Sequence, residues 1–244
     1  MIQRVLVVGD DRHQACEAVE AAGLKVVRSE PDLVLSHGGD GTLLRSERLA
    51  PLVPKLPVRI RRHTNHCERH GLAAMLARLL SGELKLEALE RIELKVGQAT
   101  FHAINDVVMR NDNPALATRF RLVIDGQPGP VITGDGLVVA TPFGSTGYYR
   151  SITRESISAG LGVAFNNATR PEPPLTLPFA TTVRVEMERG PAVLIYDNDT
   201  RAVPLRTGHV FDLRLADESA AVLGLDSLRC QRCRRHNQGT FNPH

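Results

Sequence analysis

The chain has no tryptophan, three tyrosines and seven phenylalanines, so aromatic residues make up only 4% of its 244 residues. Proteins that grip single-stranded nucleic acid need aromatic platforms interleaved with basic residues, and no such pattern is present. Four cysteines are too few to staple a chain of this length as a disulfide scaffold. No apolar run approaches the roughly 20 residues that a membrane span requires. Met1-Ile2-Gln3-Arg4-Val5 leads into a strand pattern without the charged leader and cleavage site of an export signal. The expectation is a cytoplasmic protein with neither membrane nor nucleic acid among its partners. Two phosphate-binding devices are also missing: Gly-x-x-x-x-Gly-Lys-Ser/Thr, and Gly-x-Gly-x-x-Gly after the first strand. Lysine occurs only as Lys25, Lys55, Lys85 and Lys95, so arginine carries nearly all the positive charge of a chain whose net charge is +3. Arginine suits bidentate contacts to phosphate or carboxylate, though the mild net charge names no partner.

What is present is an ordinary globular composition, 42% hydrophobic and 23% charged, long enough for one large domain or two modest ones. Residues 4–8 form an apolar strand pattern closed by Gly9-Asp10-Asp11. Residues 13–22 have helical spacing, with Cys16 on the core face, and stop at Gly23. Short strands at 24–27 and 33–35 precede a helix at 42–49; Pro51, Pro54 and Pro57 then interrupt, and 58–60 suits another strand. A second clear helix at 71–80 ends at Ser81-Gly82. Strands alternating with helices predict a parallel sheet covered on both faces. From there residues 84–94, 99–109, 120–124, 137–140, 182–188, 193–196 and 210–215 alternate or run apolar, with turns such as Asp125-Gly126-Gln127-Pro128 between them. That predicts a sheet pair. The fold class is an α/β N-terminal domain (1–81) plus a mostly-β, sandwich-like C-terminal domain (82–228), followed by a basic tail (229–244).

Three segments carry chemistry. In Ser36-His37-Gly38-Gly39-Asp40-Gly41-Thr42, three glycines surround one carboxylate between an apolar strand and the next helix. Glycine lets backbone N–H groups approach a phosphate, and the helix N-terminus favours an anion. Asp40 is placed to orient a hydroxyl nucleophile or hold a metal, which suggests phosphoryl transfer. In Asn105-Asp106, an amide stands beside a carboxylate within an apolar run. One of the two must point inward and find partners, a ribose diol among them, unless the strand ends at Asn105 and both are solvated. The third segment, residues 134–148, is a buried strand leading into a Pro-Gly turn with Ser145, Thr146 and Tyr148. Its small hydroxyls and backbone can read a base or ribose, and Tyr148 can pack on a ring.

In this order the three segments resemble the NAD kinase family. The pattern comprises Gly38-Gly39-Asp40-Gly41-Thr42-Leu43-Leu44, Asn105-Asp106-Val107-Val108 where the family has Asn-Glu, the Ile124-Asp125-Gly126 turn, and residues 134–148. The first piece alone is shared with diacylglycerol and sphingosine kinases and related phosphofructokinases; the last separates NAD kinases from them. The resemblance implies transfer of the γ-phosphate of ATP, or of polyphosphate, to the adenosine 2′-hydroxyl of NAD, with Mg²⁺. It implies that Asp40 orients or deprotonates that hydroxyl, and that Gly38, Gly39, Gly41 and Thr42 cradle phosphates. Asn105 and Asp106 would hold ribose or phosphate-proximal groups, while Thr146, Gly147 and Tyr148 line the adenine pocket with Ser151 nearby. Asp135 would contact ligand across a subunit interface, which implies a homodimer or homotetramer. Two other functions share parts of the pattern: a nucleotide-binding regulator without turnover, and a lipid or small-alcohol kinase.

The chain departs from the family in four places. Where Pro-Val-Leu-Gly-Ile-Asn and then Asn-x-Gly-x-Leu-Gly-Phe are usual, it has Pro57-Val58-Arg59-Ile60-Arg61-Arg62-His63-Thr64-Asn65-His66, and Arg61 and Arg62 are candidate diphosphate contacts in place of the lost aromatic. Ser-Ala-Gly-Gly is Ser151-Ile152-Thr153-Arg154, Asp106 is one methylene shorter than Glu, and Phe143 replaces a small hydroxyl residue. Two clusters have zinc-type ligands: His63, His66, Cys67 and His70, and Cys230, Cys233 and His236.

Overall fold

The computed structural model describes residues 2–60 and 68–230, which divide into two compact units. The chain opens with β1 (Arg4–Gly9), α1 (Arg12–Ala21), β2 (Lys25–Val26), β3 (Leu33–His37), α2 (Asp40–Leu49), β4 (Lys55–Val58), α3 (Leu72–Leu80) and β5 (Leu86–Leu89). β2, β1, β3 and β4 lie side by side and parallel. β3 is buried along its whole length, as a central parallel strand must be. Its Leu33 and Leu35 pack with Ala15 and Val19 of α1 and Met75 and Leu76 of α3. The alternate residue Ser36 faces the other way, where its hydroxyl meets that of Ser46 in α2 at 2.5 Å. Helices therefore cover the two faces that the period of two along β3 creates.

Two elements shift from their expected places. The fourth strand runs from Lys55 rather than from Val58, because Lys55 is fully buried with Glu47 and its ammonium group also reaches the carbonyl of Ala50 at 2.8 Å. A lysine and a proline in the strand hid it from an apolar-run reading. α2 begins at Asp40, two residues before Thr42, with Gly39 as its N-cap.

The second unit contains β6 (Ile92–Val96), β7 (Ala99–Ala103), β8 (Asp106–Asn111), β9 (Thr118–Ile124), β10 (Gln127–Gly134), β11 (Gly136–Ala140), α4 (Tyr148–Thr153), β12 (Leu161–Asn166), β13 (Leu175–Leu177), β14 (Val183–Arg189), β15 (Ala192–Tyr196), β16 (Val203–Leu205) and β17 (Val210–Leu215). They form two six-stranded sheets, ordered β10-β9-β14-β17-β6-β7 and β13-β12-β11-β8-β15-β16. Phe120, Leu122, Val183, Val185, Phe211 and Leu213 of the first pack on Val107, Met109, Leu137, Val139, Leu161 and Val163 of the second. On the far face of the second sheet, Val108, Val138, Ala140 and Ala164 pack under Tyr149 of α4. β8, β11 and β12 are thus buried on both faces, which is why β12 lacks alternation. β10 begins inside the expected Asp125-Gly126-Gln127-Pro128 turn and tolerates Pro128 and Pro130 because it is an edge strand.

The chain then returns to the first unit with β18 (Ala220–Leu223), between β4 and β5, and the short α5 (Asp226–Arg229). The first unit accordingly holds the described residues up to Leu89 and from Ala220, and the second holds Glu90–Ser219. The division at Ser81-Gly82 and the single 82–228 domain do not allow for this return. The run 84–94 is two strands serving two units, because β5 finds its partner in a segment far downstream. Among the described residues no helix is long and apolar enough to cross a membrane.

Candidate functional site

The sequence-predicted residues fall into two groups. Gly38, Gly39, Asp40, Gly41 and Thr42 lie in the first unit; Asn105, Asp106, Asp135, Thr146, Gly147, Tyr148 and Ser151 lie in the second.

In the first group, the Gly38 N–H donates to the carbonyl of Val58 at 2.8 Å, which holds the end of β3 against β4. A side chain at Gly38 would come within 2.0 Å of the Thr42 hydroxyl, so the turn closes only with glycine there. Among the described residues, nothing lies within 4 Å of where a Cβ on Gly39 or Gly41 would stand. Their bareness leaves open space on both sides of Asp40, as a cradle for a ligand requires. Asp40 occupies the first turn of α2, where the helix end favours its charge, and its side chain is 59% exposed. A guanidinium N–H of Arg59 donates to its Oδ1 at 3.3 Å and to the carbonyl of Leu228 at 3.3 Å. Sequence reading quoted Arg59 only as a departure and did not pair it with Asp40. It gave no role to His37, which is buried under the turn and whose Nδ1 has no hydrogen-bond partner among the described residues. Burial pushes the His37 imidazole below the ordinary histidine range, against the raising effects of the Asp11 carbonyl and the Asp11 and Asp10 charges.

In the second group, Asn105 occupies the break between β7 and β8 and Asp106 begins β8. Asp106 is buried rather than solvated, and the Asn105 side-chain amide donates to its Oδ2 at 3.2 Å. Burial pushes the Asp106 carboxyl up to about 6, with the Asn105 hydrogen bond opposing. The break is held by a residue that sequence reading missed. Asp197 accepts the backbone N–H of Ile104 at 2.8 Å and of Asn105 at 2.7 Å. Burial pushes Asp197 up to about 7; its backbone hydrogen bonds pull it down and the Asp106 charge raises it. The acidic turn Asp197-Asn198-Asp199 directly after an apolar strand was the available signal.

The loop after β11 is fastened to the same break. The Thr141 hydroxyl donates to the carbonyl of Ile104 at 2.7 Å, and the Thr141 N–H donates to that of Asn105 at 3.0 Å. A Cβ on Gly144 would stand 1.9 Å from the Asn105 carbonyl oxygen, so glycine is what lets loop and strand meet. Asn105, Asp106 and the Thr146-Gly147 turn are thereby brought together. Ser145 is corrected as a ligand contact: it is fully buried, donates to the carbonyl of Pro142 and accepts the N–H of Ile157. Thr146, Gly147, Tyr148 and Ser151 are exposed, and the Tyr148 hydroxyl accepts the Asn166 amide at 3.1 Å. Asp135, at the junction of β10 and β11, accepts the Asn167 amide at 2.7 Å and the more distant Asn111 amide at 3.5 Å.

Of the zinc clusters, His63, His66, Cys67, Cys233 and His236 lie outside the described residues, as do Arg61 and Arg62. His70 is buried with its Nε2 3.1 Å from Asp226 Oδ2, and Cys230 closes α5. Among the described residues no three His, Cys, Asp or Glu side chains converge as a metal site. A magnesium ion bound chiefly through nucleotide phosphates needs only one or two carboxylates, and exposed Asp40 fits that requirement.

The family model described as the ATP-NAD kinase C-terminal domain matches residues 104–224. The NAD kinase of Methanopyrus kandleri is 35% identical over 142 residues, 56% of this chain and 49% of that protein, so the chain matches about half of that relative's length. The NAD kinase of Methanospirillum hungatei JF-1 is 32% identical over 197 residues, 75% of this chain and 71% of that protein. The crystal structure of yeast NADH kinase complexed with NADH is similar in fold, with a TM-score of 0.78 at 18% identity, covering 100% of this chain and 89% of that one.

Proposed function

We infer the reaction from one premise: this chain belongs to the NAD kinase family. It is a phosphotransferase that carries the γ-phosphate of ATP to the adenosine 2′-hydroxyl of NAD, giving NADP. The observation that carries this reading is the exposed Asp40 carboxylate at the start of α2, flanked by two glycines that open onto empty space. Phosphoryl transfer is mostly positioning and charge neutralisation, and such a turn supplies both with backbone donors.

In this scheme Asp40 accepts the hydrogen bond of the 2′-hydroxyl and takes its proton as the new O–P bond forms, while the bond from the γ-phosphorus to the β,γ-bridging oxygen breaks and ADP leaves with that oxygen. Gly39 and Gly41 present backbone N–H groups to the phosphates, while Gly38 and Thr42, whose N–H groups donate to the carbonyls of Val58 and Gly39, hold the shape of the cradle. Asn105 and Asp106 hold the ribose, their backbone pinned by Asp197 and Thr141. Tyr148 packs against the adenine, with Thr146, Gly147 and Ser151 at the rim. ATP would arrive as its magnesium complex, the ion being part of the substrate and supplying neutralisation of phosphate charge. A homodimer or homotetramer in which Asp135 reaches the ligand of a neighbouring copy belongs to the same reading.

The test is direct. Purified protein with NAD, ATP and Mg²⁺ is expected to form NADP, followed with an NADP-specific dehydrogenase. NAD binding without NADP formation from either ATP or polyphosphate would assign a regulator instead.

A further inference from the structure

Two arginines beside the Thr146-Gly147-Tyr148 loop are unsatisfied. Arg150 lies in α4, and Arg154 caps its C-terminal end four residues on. Both line one groove beside the loop, so the two cations face the same space. Both are exposed, and among the described residues neither has an ion pair or a side-chain hydrogen bond. With Thr146, Gly147 and Ser151 they line a groove of about 460 Å³. The two hydroxyls are already committed inward, Thr146 to the carbonyl of Phe143 and Ser151 to that of Tyr148. The uncommitted side-chain donors of the groove are therefore the two guanidinium groups.

Arg154 is held there against local preference. Its backbone is left-handed, φ 67° and ψ 4°, a conformation that glycine adopts freely and a residue with a Cβ does not. The family pattern has glycine at this position, in Ser-Ala-Gly-Gly. Like charges one turn apart add repulsion to that backbone strain. Strain of this kind persists where a side chain is required for a task. Two arginines present ten N–H donors in planar forks, which match the oxygens of a phosphate chain or a phosphate ester.

We propose that Arg150 and Arg154 form a subsite for a phosphate group of high charge, at the rim of the nucleotide loop. The proposal rests on the NAD kinase reading only for the source of that phosphate, which is either the oligophosphate of the donor or the 2′-phosphate of the dinucleotide product.

Calorimetric titration of the full chain with tripolyphosphate, NAD and NADP tests it, using wild type, R150Q/R154Q and R154G. Wild type is expected to bind tripolyphosphate or NADP at least tenfold more tightly than R150Q/R154Q, with NAD affinity within twofold. Loss confined to tripolyphosphate assigns the donor chain, and loss confined to NADP assigns the product's 2′-phosphate. R154G is expected to bind more weakly while melting about 2–4 °C higher, since glycine relieves the backbone. Wild-type affinity in R150Q/R154Q, or an equal loss for NAD, would overturn the subsite. So would a fall in the melting temperature of R154G, which would make Arg154 a structural cap. Binding is read without turnover, so a protein that binds tripolyphosphate through these arginines yet forms no NADP would fail the kinase reading and keep the subsite.

Discussion

The backbone N–H of Asp197 donates to the carbonyl of Asp106 at 3.0 Å, so two buried carboxyl groups share one corner of a sheet in the second unit. Both are raised above their ordinary value, Asp106 to about 6 and Asp197 to about 7. In the unfolded chain both would ionise near 3.8, the ordinary value of an aspartate. Between that pH and about 7 the folded state binds more protons than the unfolded one. Stability is therefore greatest below the unfolded value and falls as pH rises through the folded values, by up to about 1.4 kcal/mol per pH unit for each group. Urea unfolding between pH 4 and 8 should show this decline, and Asp106→Asn should remove part of it. A flat profile in that window would contradict the assignment.

The Asp40 carboxylate carries the proton in the proposed transfer. Asp40→Asn should lower kcat by roughly 10²–10⁴, the usual contribution of a positioned base, with NAD affinity within severalfold of wild type. Arg59→Ala should change stability by no more than about 1 kcal/mol, because the Asp40–Arg59 pair is largely exposed on the Asp40 side. Rapid-quench measurement of NADP formation, beside calorimetric NAD binding, separates chemistry from affinity. Full activity in Asp40→Asn would remove Asp40 from the mechanism.

Two glycines of the motifs should behave oppositely. Gly144→Ala puts a methyl group 1.9 Å from the Asn105 carbonyl oxygen, a backbone atom that cannot swing aside. The variant should lose about 1–3 kcal/mol, as overpacked cores do, and bind NAD more weakly because Asn105 moves. Gly39→Ala meets no atom and should fold with little change in stability. Its expected defect is a higher KM for ATP, because the methyl group enters the space left for phosphate. Thermal melts together with ATP titration of the steady-state rate distinguish the two.

Lys55 and Glu47 form an ion pair inside the first unit, with the Lys55 side chain 0% and the Glu47 side chain 2% exposed. Lys55→Met leaves the carboxylate buried without its cation and should cost about 3–5 kcal/mol. The double variant Lys55→Met/Glu47→Leu should recover much of that loss, because removing both charges removes the uncompensated one. Chemical denaturation of the three proteins closes this cycle.

The turn at Gly38-Gly39-Asp40-Gly41-Thr42 was legible because its requirements are local: bare backbone, a carboxylate and a helix start lie within a few residues. The alternation of β9, β14 and β17 was legible for the same reason, since each has one face in the sandwich core. Asn105-Asp106 was legible only as an awkward pair, because whether Asp106 is solvated depends on what covers it. Asp197 was legible only as part of an acidic turn after an apolar strand, not by its partners. Its task is to accept two N–H groups more than 90 residues away in sequence, and nothing in its own neighbourhood announces them.

By itself, then, the sequence determined the glycine-rich turn around Asp40, the order of the motifs and the change from α/β to mostly-β patterning, because hydrophobic period and glycine placement act over short distances. Only the tertiary structure decided that β18 returns to sit between β4 and β5, that Lys55 belongs to a buried strand, and that Asp106 and Asp197 are both raised. Each of these is set by contacts between distant segments. Pairing, burial and desolvation are properties of what a residue meets, and the chain meets those partners only once it is folded.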